Sequence, residues 1–195
     1  MSHYFINDKN LANKPNIIEV KIRDHLFSFR TDSGVFSKDH IDFGSKLLAE
    51  TFLDYYESGS ILDLGCGYGF IGITLSKILQ EQVDMIDINE KAINLSIANN
   101  ELNNTKGNVF LSDGFNAIVK QYGYIVSNPP IRIGKKAMYE LLINAKNYLQ
   151  SKGELWLVVR KAQGAESLVR DLSKYYNVEI ICKKKGFYII RAVYS

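Results

Sequence analysis

Cysteine, histidine and proline are scarce in this chain of 195 residues, which holds 2 Cys, 3 His and 3 Pro. Cys66 and Cys182 are too few for a disulfide framework, and neither has the Cys or His company of a zinc site, so no metal is expected. A reducing, cytoplasmic setting is the simple reading. Long apolar runs are also missing: none approaches the roughly 20 residues needed to cross a bilayer, so no membrane partner is expected. Residues 1–8 lack the basic stretch and apolar core of a secretory signal. Internal repeats and low-complexity segments are absent.

Charge of one sign is lacking too. The 24 basic and 21 acidic residues leave a net charge of +3. Its distribution is less even. Residues 160–195 carry eight basic side chains (Arg160, Lys161, Arg170, Lys174, Lys183, Lys184, Lys185, Arg191) against Glu166, Asp171 and Glu179, a net +5 that leaves −2 for the rest. Basic charge gathered at one end of a chain can mark a surface for a polyanion.

What is present reads as one soluble α/β domain over residues 1–195, with 46% hydrophobic and 23% charged residues. Residues 1–16 form a polar leader. Apolar and polar residues alternate over 17–22 and 26–29 about Arg23-Asp24-His25, the pattern of a hairpin with one buried face. A turn-rich loop over 31–38 and a helix striped with Ile41, Leu47, Leu48 and Phe52 follow. Strands are predicted at 61–64, 83–88, 109–112, 124–127 and 154–159, alternating with helices. The helices include a short one over 115–120 and longer ones over 135–150 and 165–175. Two last strands, 178–182 and 187–193, are joined by Lys183-Lys184-Lys185-Gly186 with no room for a crossover helix, so the last must run antiparallel. The expected fold is a doubly wound, Rossmann-like, mainly parallel seven-stranded sheet with an antiparallel last strand, preceded by a short N-terminal β-hairpin.

Two stretches carry chemistry. Asp63-Leu64-Gly65-Cys66-Gly67-Tyr68-Gly69 ends the first sheet strand and opens a helix, where such sheets place nucleotide sites. Asp63, Asp87 and Asp113 all fall at or just past the carboxyl ends of strands, so they can converge on one ligand. Gly65 to Asp87 is 22 positions, near the roughly 20 expected for a ribose-binding carboxylate. A dinucleotide turn needs its third glycine at the sixth position, which here is Phe70, and no Gly-Lys-Ser/Thr follows as a P-loop would require.

The second stretch is Ser127-Asn128-Pro129-Pro130, directly after the fourth sheet strand. The Asn128 side-chain oxygen and the Pro129 carbonyl can accept both protons of a planar exocyclic amine, leaving its lone pair aimed at an electrophile.

With these motifs the chain resembles the "methyltransferase small" family of class I S-adenosyl-L-methionine-dependent methyltransferases, which includes bacterial guanine-N2 methyltransferases of small-subunit ribosomal RNA. The resemblance spans roughly residues 26–193 and also rests on Thr31-Asp32-Ser33-Gly34-Val35-Phe36-Ser37, Asp87-Ile88-Asn89 and Gly153-Glu154-Leu155-Trp156. It implies that Gly65 and Gly67 approach the methionine part of the cofactor, with Asp63 behind them. Asp87 would hold the ribose, Asp113 the adenine amine, and the loop bearing Phe36 would cover the cofactor. Asn128 and Pro129 would hold the target amine. Pro130, Ile131 and Arg132 would meet the substrate, although the family often has an aromatic residue where Ile131 stands.

Methyl transfer from a sulfonium calls for in-line placement more than for acid–base help, so no general base is expected and His25 and His40 read as surface histidines. The topology sends Arg132, Lys135, Lys136, Arg160, Lys161 and Lys183-Lys184-Lys185 to one edge of the sheet, a rim suited to RNA phosphates. Lys135, Lys161, Lys183 and Lys184 are therefore taken as substrate-binding. The leading expectation is an N-methyltransferase acting on guanine N2 in ribosomal RNA or the small ribosomal subunit. Protein-glutamine N-methylation, and a cofactor-binding RNA-associated protein without turnover, stand as alternatives.

Overall fold

The computed structural model describes residues 16–31, 41–130 and 133–195. The expectations for Phe36 and its loop, for His40, and for Ile131 and Arg132 lie outside the described residues.

Strands β1 (Asn16–Ile22) and β2 (His25–Thr31) form the predicted hairpin, and alternation turns Phe27, Phe29 and Thr31 inward. Helix α1 (Phe43–Tyr55) starts at Asp42, whose side chain accepts from the Ser45 N–H, and it buries Leu47, Leu48 and Phe52. The main sheet is built from β3 (Ile61–Leu64), β4 (Val83–Asp87), β5 (Asn108–Leu111), β6 (Tyr122–Ser127), β7 (Leu149–Arg160), β8 (Asn177–Lys184) and β9 (Phe187–Val193). Their order is β5-β4-β3-β6-β7-β9-β8. The pairs from β5 to β7 are parallel, while β9 runs antiparallel to both β7 and β8. Strand β8 therefore points the same way as β3, as expected.

Helices α2 (Phe70–Leu79) and α3 (Glu90–Leu102) join α1 and the hairpin in a core with Ile61, Met85, Val126, Trp156 and Ile189. The other face packs Leu62, Ile125, Leu155 and Ile190 against α4 (Lys135–Asn144) and α5 (Ala165–Leu172). Apolar residues on both faces are what a doubly wound sheet requires.

Some helical expectations fail locally. Residues 115–120 form tight turns, with Asn116 bonded to Asp113 and Ile118 to Phe115, because so few residues cannot repay helix nucleation. The Ser112 hydroxyl instead accepts from the Ala117 N–H. The helix expected over 135–150 ends at Asn144, passes through one 3-10 turn (Ala145–Tyr148), and yields at Leu149 to sheet pairing with Tyr122. The Tyr176 hydroxyl donates to the Leu142 carbonyl near that helix end. Helix α5 stops at Leu172, three residues short of Tyr175.

Candidate active site

The four neighbouring strands β5, β4, β3 and β6 end side by side, and each delivers one of the singled-out residues. Register pairs Asp87 with Leu111 and Asp63 with Val126. Two residues beyond the last three of those come Asp113, Gly65 and Asn128. Asp113, Asp87, Gly65 and Asn128 thus stand in a row along one sheet edge, the place where open α/β sheets bind ligands.

The glycine turn is fixed by backbone and carboxylate together. The Ile86 carbonyl accepts from both the Gly65 and Cys66 N–H groups at 2.9 Å. Asp87 Oδ2 accepts from the Gly67 N–H at 2.9 Å, and its Oδ1 from the Asn89 N–H at 2.9 Å. Gly65 and Gly67 have φ of +73° and +58°, and a Cβ added at either would meet nothing within 4 Å. The backbone there faces open space, which is a cradle for a ligand and one that side chains would fill. Gly69 differs, being packed on Ser96 and Ile73.

Asp63 lies beneath this turn, 1% exposed, with Oδ2 accepting from the Gly72 N–H at 2.8 Å and Oδ1 without a partner among the described residues. Burial, eased by the Gly72 N–H and worsened by Asp87, pushes its carboxyl up to about 7. An unpaired buried acid close to the cradle suits a cationic neighbour. Burial, then Asp63 and Asp87, push the Cys66 thiol well up, so it is an inert filler of the turn. Asp113 is exposed, its carbonyl closing the turn to Asn116.

The Asn-Pro-Pro corner is tied to the turn by Ser127, whose hydroxyl donates to the Leu64 carbonyl at 2.7 Å. Asn128 Nδ2 donates to Ser45 Oγ at 2.9 Å and to Asp42 Oδ2 at 3.2 Å. Among the described residues, nothing donates to Asn128 Oδ1 or to the Pro129 carbonyl, whereas the Pro130 carbonyl accepts from the Ile133 N–H. Two consecutive residues beside the cradle thus each keep an acceptor that no described residue uses.

The basic side chains expected on one rim fall on both faces of the sheet edge. On the α1 face, Arg160 lies over the Phe187 ring and Lys185 over Phe43, with those rings 5.6 Å apart. Arg160, Lys185 and Phe187 line an open cavity of about 640 Å³ with Lys161, Ala162 and Gly186. On the α5 face, Lys183 lies over Tyr188, and Lys161 pairs with Glu166 at 3.6 Å. Lys184 ends β8 opposite Phe187, and Lys135 lies over Tyr139 at the start of α4. The sequence reading missed Asp42 and Ser45. Asp-x-x-Ser before an apolar run signals a helix start, but nothing local ties it to Asn128.

The "Methyltransferase small domain" family model matches residues 26–191. The chain belongs to the methyltransferase small domain family. It is 39% identical over 195 residues to the uncharacterized protein YbxB of Bacillus subtilis, covering 97% of each chain. It is 40% identical over 145 residues to ribosomal RNA small subunit methyltransferase C of Aliivibrio fischeri, covering 72% of this chain and 42% of that one. A solved T. thermophilus 16S rRNA N2 G1207 methyltransferase, in complex with AdoMet and guanosine, superposes with a TM-score of 0.81 at 22% identity. That match covers 92% of this chain and 50% of the other and is a likeness of fold. This methyltransferase small domain thus spans the length of YbxB but half or less of the two named rRNA methyltransferases.

Proposed function

We propose that this chain transfers the methyl group of S-adenosyl-L-methionine to an exocyclic amine in RNA, the N2 amine of a guanine in small-subunit ribosomal RNA. One observation carries the reading: among the described residues nothing donates to Asn128 Oδ1 or to the Pro129 carbonyl, in consecutive residues at the strand end next to the glycine cradle. Family membership and the names of the rRNA methyltransferase relatives support it.

S-adenosyl-L-methionine supplies an electrophilic methyl on a sulfonium. Gly65 and Gly67 leave room for its methionine end, Asp87 offers a held carboxylate to the ribose, and Asp113 lies beyond for the adenine amine. Asp63 lies buried beneath the turn, where a cationic group would favour its ionised form. Asn128 and Pro129 accept the two amine protons, which turns the nitrogen lone pair toward the methyl. A nitrogen–carbon bond forms as the sulfur–carbon bond breaks, and the sulfur leaves neutral. The nitrogen's surplus proton passes to solvent, so no dedicated base is needed. Alignment of this kind supplies the catalysis. The cations of the rim, Lys135, Lys161, Lys183 and Lys184 with Arg160 and Lys185, hold the RNA backbone while the base is presented unstacked.

The test is tritiated methyl transfer to total RNA and ribosomal subunits, followed by mass spectrometry of the nucleosides. N2-methylguanosine should form, and it should vanish in Asn128→Ala while S-adenosylhomocysteine still binds. Labelled glutamine in protein would transfer the reading to protein methylation, and a different methylated nucleoside would remove the guanine assignment.

A further inference from the structure

We propose that Asp42 and Ser45, in the first turn of α1, are positioning residues that set which way the Asn128 carboxamide faces. The inference rests on the reading of Asn128 as acceptor of the target amine. A carboxamide has two ends of similar size and opposite hydrogen-bonding sense, and only one of them can accept a proton from an amine. The Asp42 carboxylate is an acceptor alone, so the end that faces it has to be the NH2. Both Asn128 N–H groups are used in this way, on Asp42 Oδ2 at 3.2 Å and Ser45 Oγ at 2.9 Å. Oδ1 is the group left over. Turned the other way, Oδ1 would oppose a carboxylate oxygen, and an NH2 would confront the amine it is meant to hold. The bond to Asp42 is also charge-assisted, which draws electron density toward Oδ1 and strengthens it as an acceptor.

Asp42 is itself held in place. The same Oδ2 caps α1 by accepting from the Ser45 N–H at 2.7 Å, where the helix dipole favours a negative charge. Between these two residues, Gly44 lies so close to Phe187 that an added Cβ would come within 2.6 Å of its ring. The first turn of α1 is therefore pinned to β9. Burial first, then the charge of Asp42, push the Tyr68 phenol up. One capping carboxylate thus ties the start of α1 to the Asn-Pro-Pro corner, and α1 becomes the support that orients the acceptor.

The test compares Asp42→Ser, Ser45→Ala and their double variant with Asp42→Asn. Serine caps a helix about as well as aspartate but is too short to reach Asn128, whereas asparagine keeps both the cap and an acceptor oxygen. The direct readout is proton exchange at the Asn128 side-chain amide by NMR, assigned with Asn128→Asp. Exchange should quicken about tenfold in the double variant, as expected for a lost hydrogen bond, and stay near the parent's in Asp42→Asn. With RNA as substrate, kcat should fall about 100-fold in the double variant while KM and S-adenosylhomocysteine affinity hold, and Asp42→Asn should recover most of it. A double variant that melts like the parent and keeps either its amide exchange or its kcat overturns the proposal. A parent that transfers no methyl to RNA removes the functional reading instead, and amide exchange then decides the positioning on its own.

Discussion

Asn99, on α3, donates its side-chain amide to the carbonyl of Tyr68 inside the glycine turn at 2.9 Å. The same side chain pairs both backbone groups of Arg30, accepting from its N–H at 2.7 Å and donating to its carbonyl at 3.0 Å. One helical turn later, Asn103 does the same for Ser28. Two carboxamides spaced i, i+4 thus complete the open edge of β2, whose main-chain groups would otherwise lack partners. Asn99 adds the glycine turn to that arrangement, so hairpin, helix and cradle share one side chain.

Asn99→Ala should therefore cost more than an ordinary polar deletion. It strands the buried Tyr68 carbonyl and the part-buried N–H and carbonyl of Arg30, for a loss of about 2–3 kcal/mol by denaturant melting. S-adenosylhomocysteine affinity should fall with it. Asn103→Ala serves as the control, because it loosens the hairpin without touching Tyr68. Equal affinity in the two variants would show that the turn does not depend on Asn99.

The same side chains show where sequence reading succeeds and where it stops. The places of Asp63, Gly65, Asp87 and Asn128 are legible because each sits within a few residues of the strand that carries it, and alternation with helices makes those strands parallel. Asn99 reads as a polar position on a helix surface and becomes buried only when β2, some 70 residues earlier, folds onto it. Asp42 reads as a helix cap, while its second partner lies 86 residues away. The rim was placed on the right edge but not divided. Arg160 ends β7 on the α1 face, Lys161 opens a 3-10 turn that borders the same cavity while pairing with Glu166, and the irregularity between Ile180 and Cys182 shifts the parity of β8 before Lys183. Turns at 115–120 were mistaken for helix because apolar spacing over six residues does not separate the two.

Asp63 predicts an unusual pH dependence. Its folded carboxyl is raised to about 7 from an ordinary value of 3.8, so the native state holds a proton that the unfolded chain releases first. The stability it contributes is fully present below the unfolded value and is lost as pH rises toward 7. In Asp63→Asn the amide oxygen can still accept from Gly72, but nothing titrates. The parent should therefore lose stability relative to Asp63→Asn between pH 4 and 7, ending about 4 kcal/mol lower at pH 8. Parallel stability curves across that range would show that Asp63 ionises freely in the folded protein.

The divided rim predicts unequal roles for its cations in RNA binding. Each contact to a single-stranded phosphate steepens the fall of log affinity with log salt by about 0.7. Arg160 and Lys185 have no acidic partner among the described residues. They lie on the α1 face, whose first residue Phe43 adjoins the Asp42 that holds Asn128. Lys161, by contrast, is shared with Glu166. Arg160→Gln with Lys185→Gln should therefore flatten the salt slope by about 1.4, and Lys161→Gln with Lys183→Gln should flatten it less. Glutamine keeps most of the side-chain stem over Phe43 and Phe187, so the change isolates charge from packing. Salt titration of binding to single-stranded RNA decides the matter. Equal slopes for the two pairs would mean that RNA crosses the edge without favouring the α1 face, and an unchanged slope in both would place the phosphate contacts elsewhere on the chain.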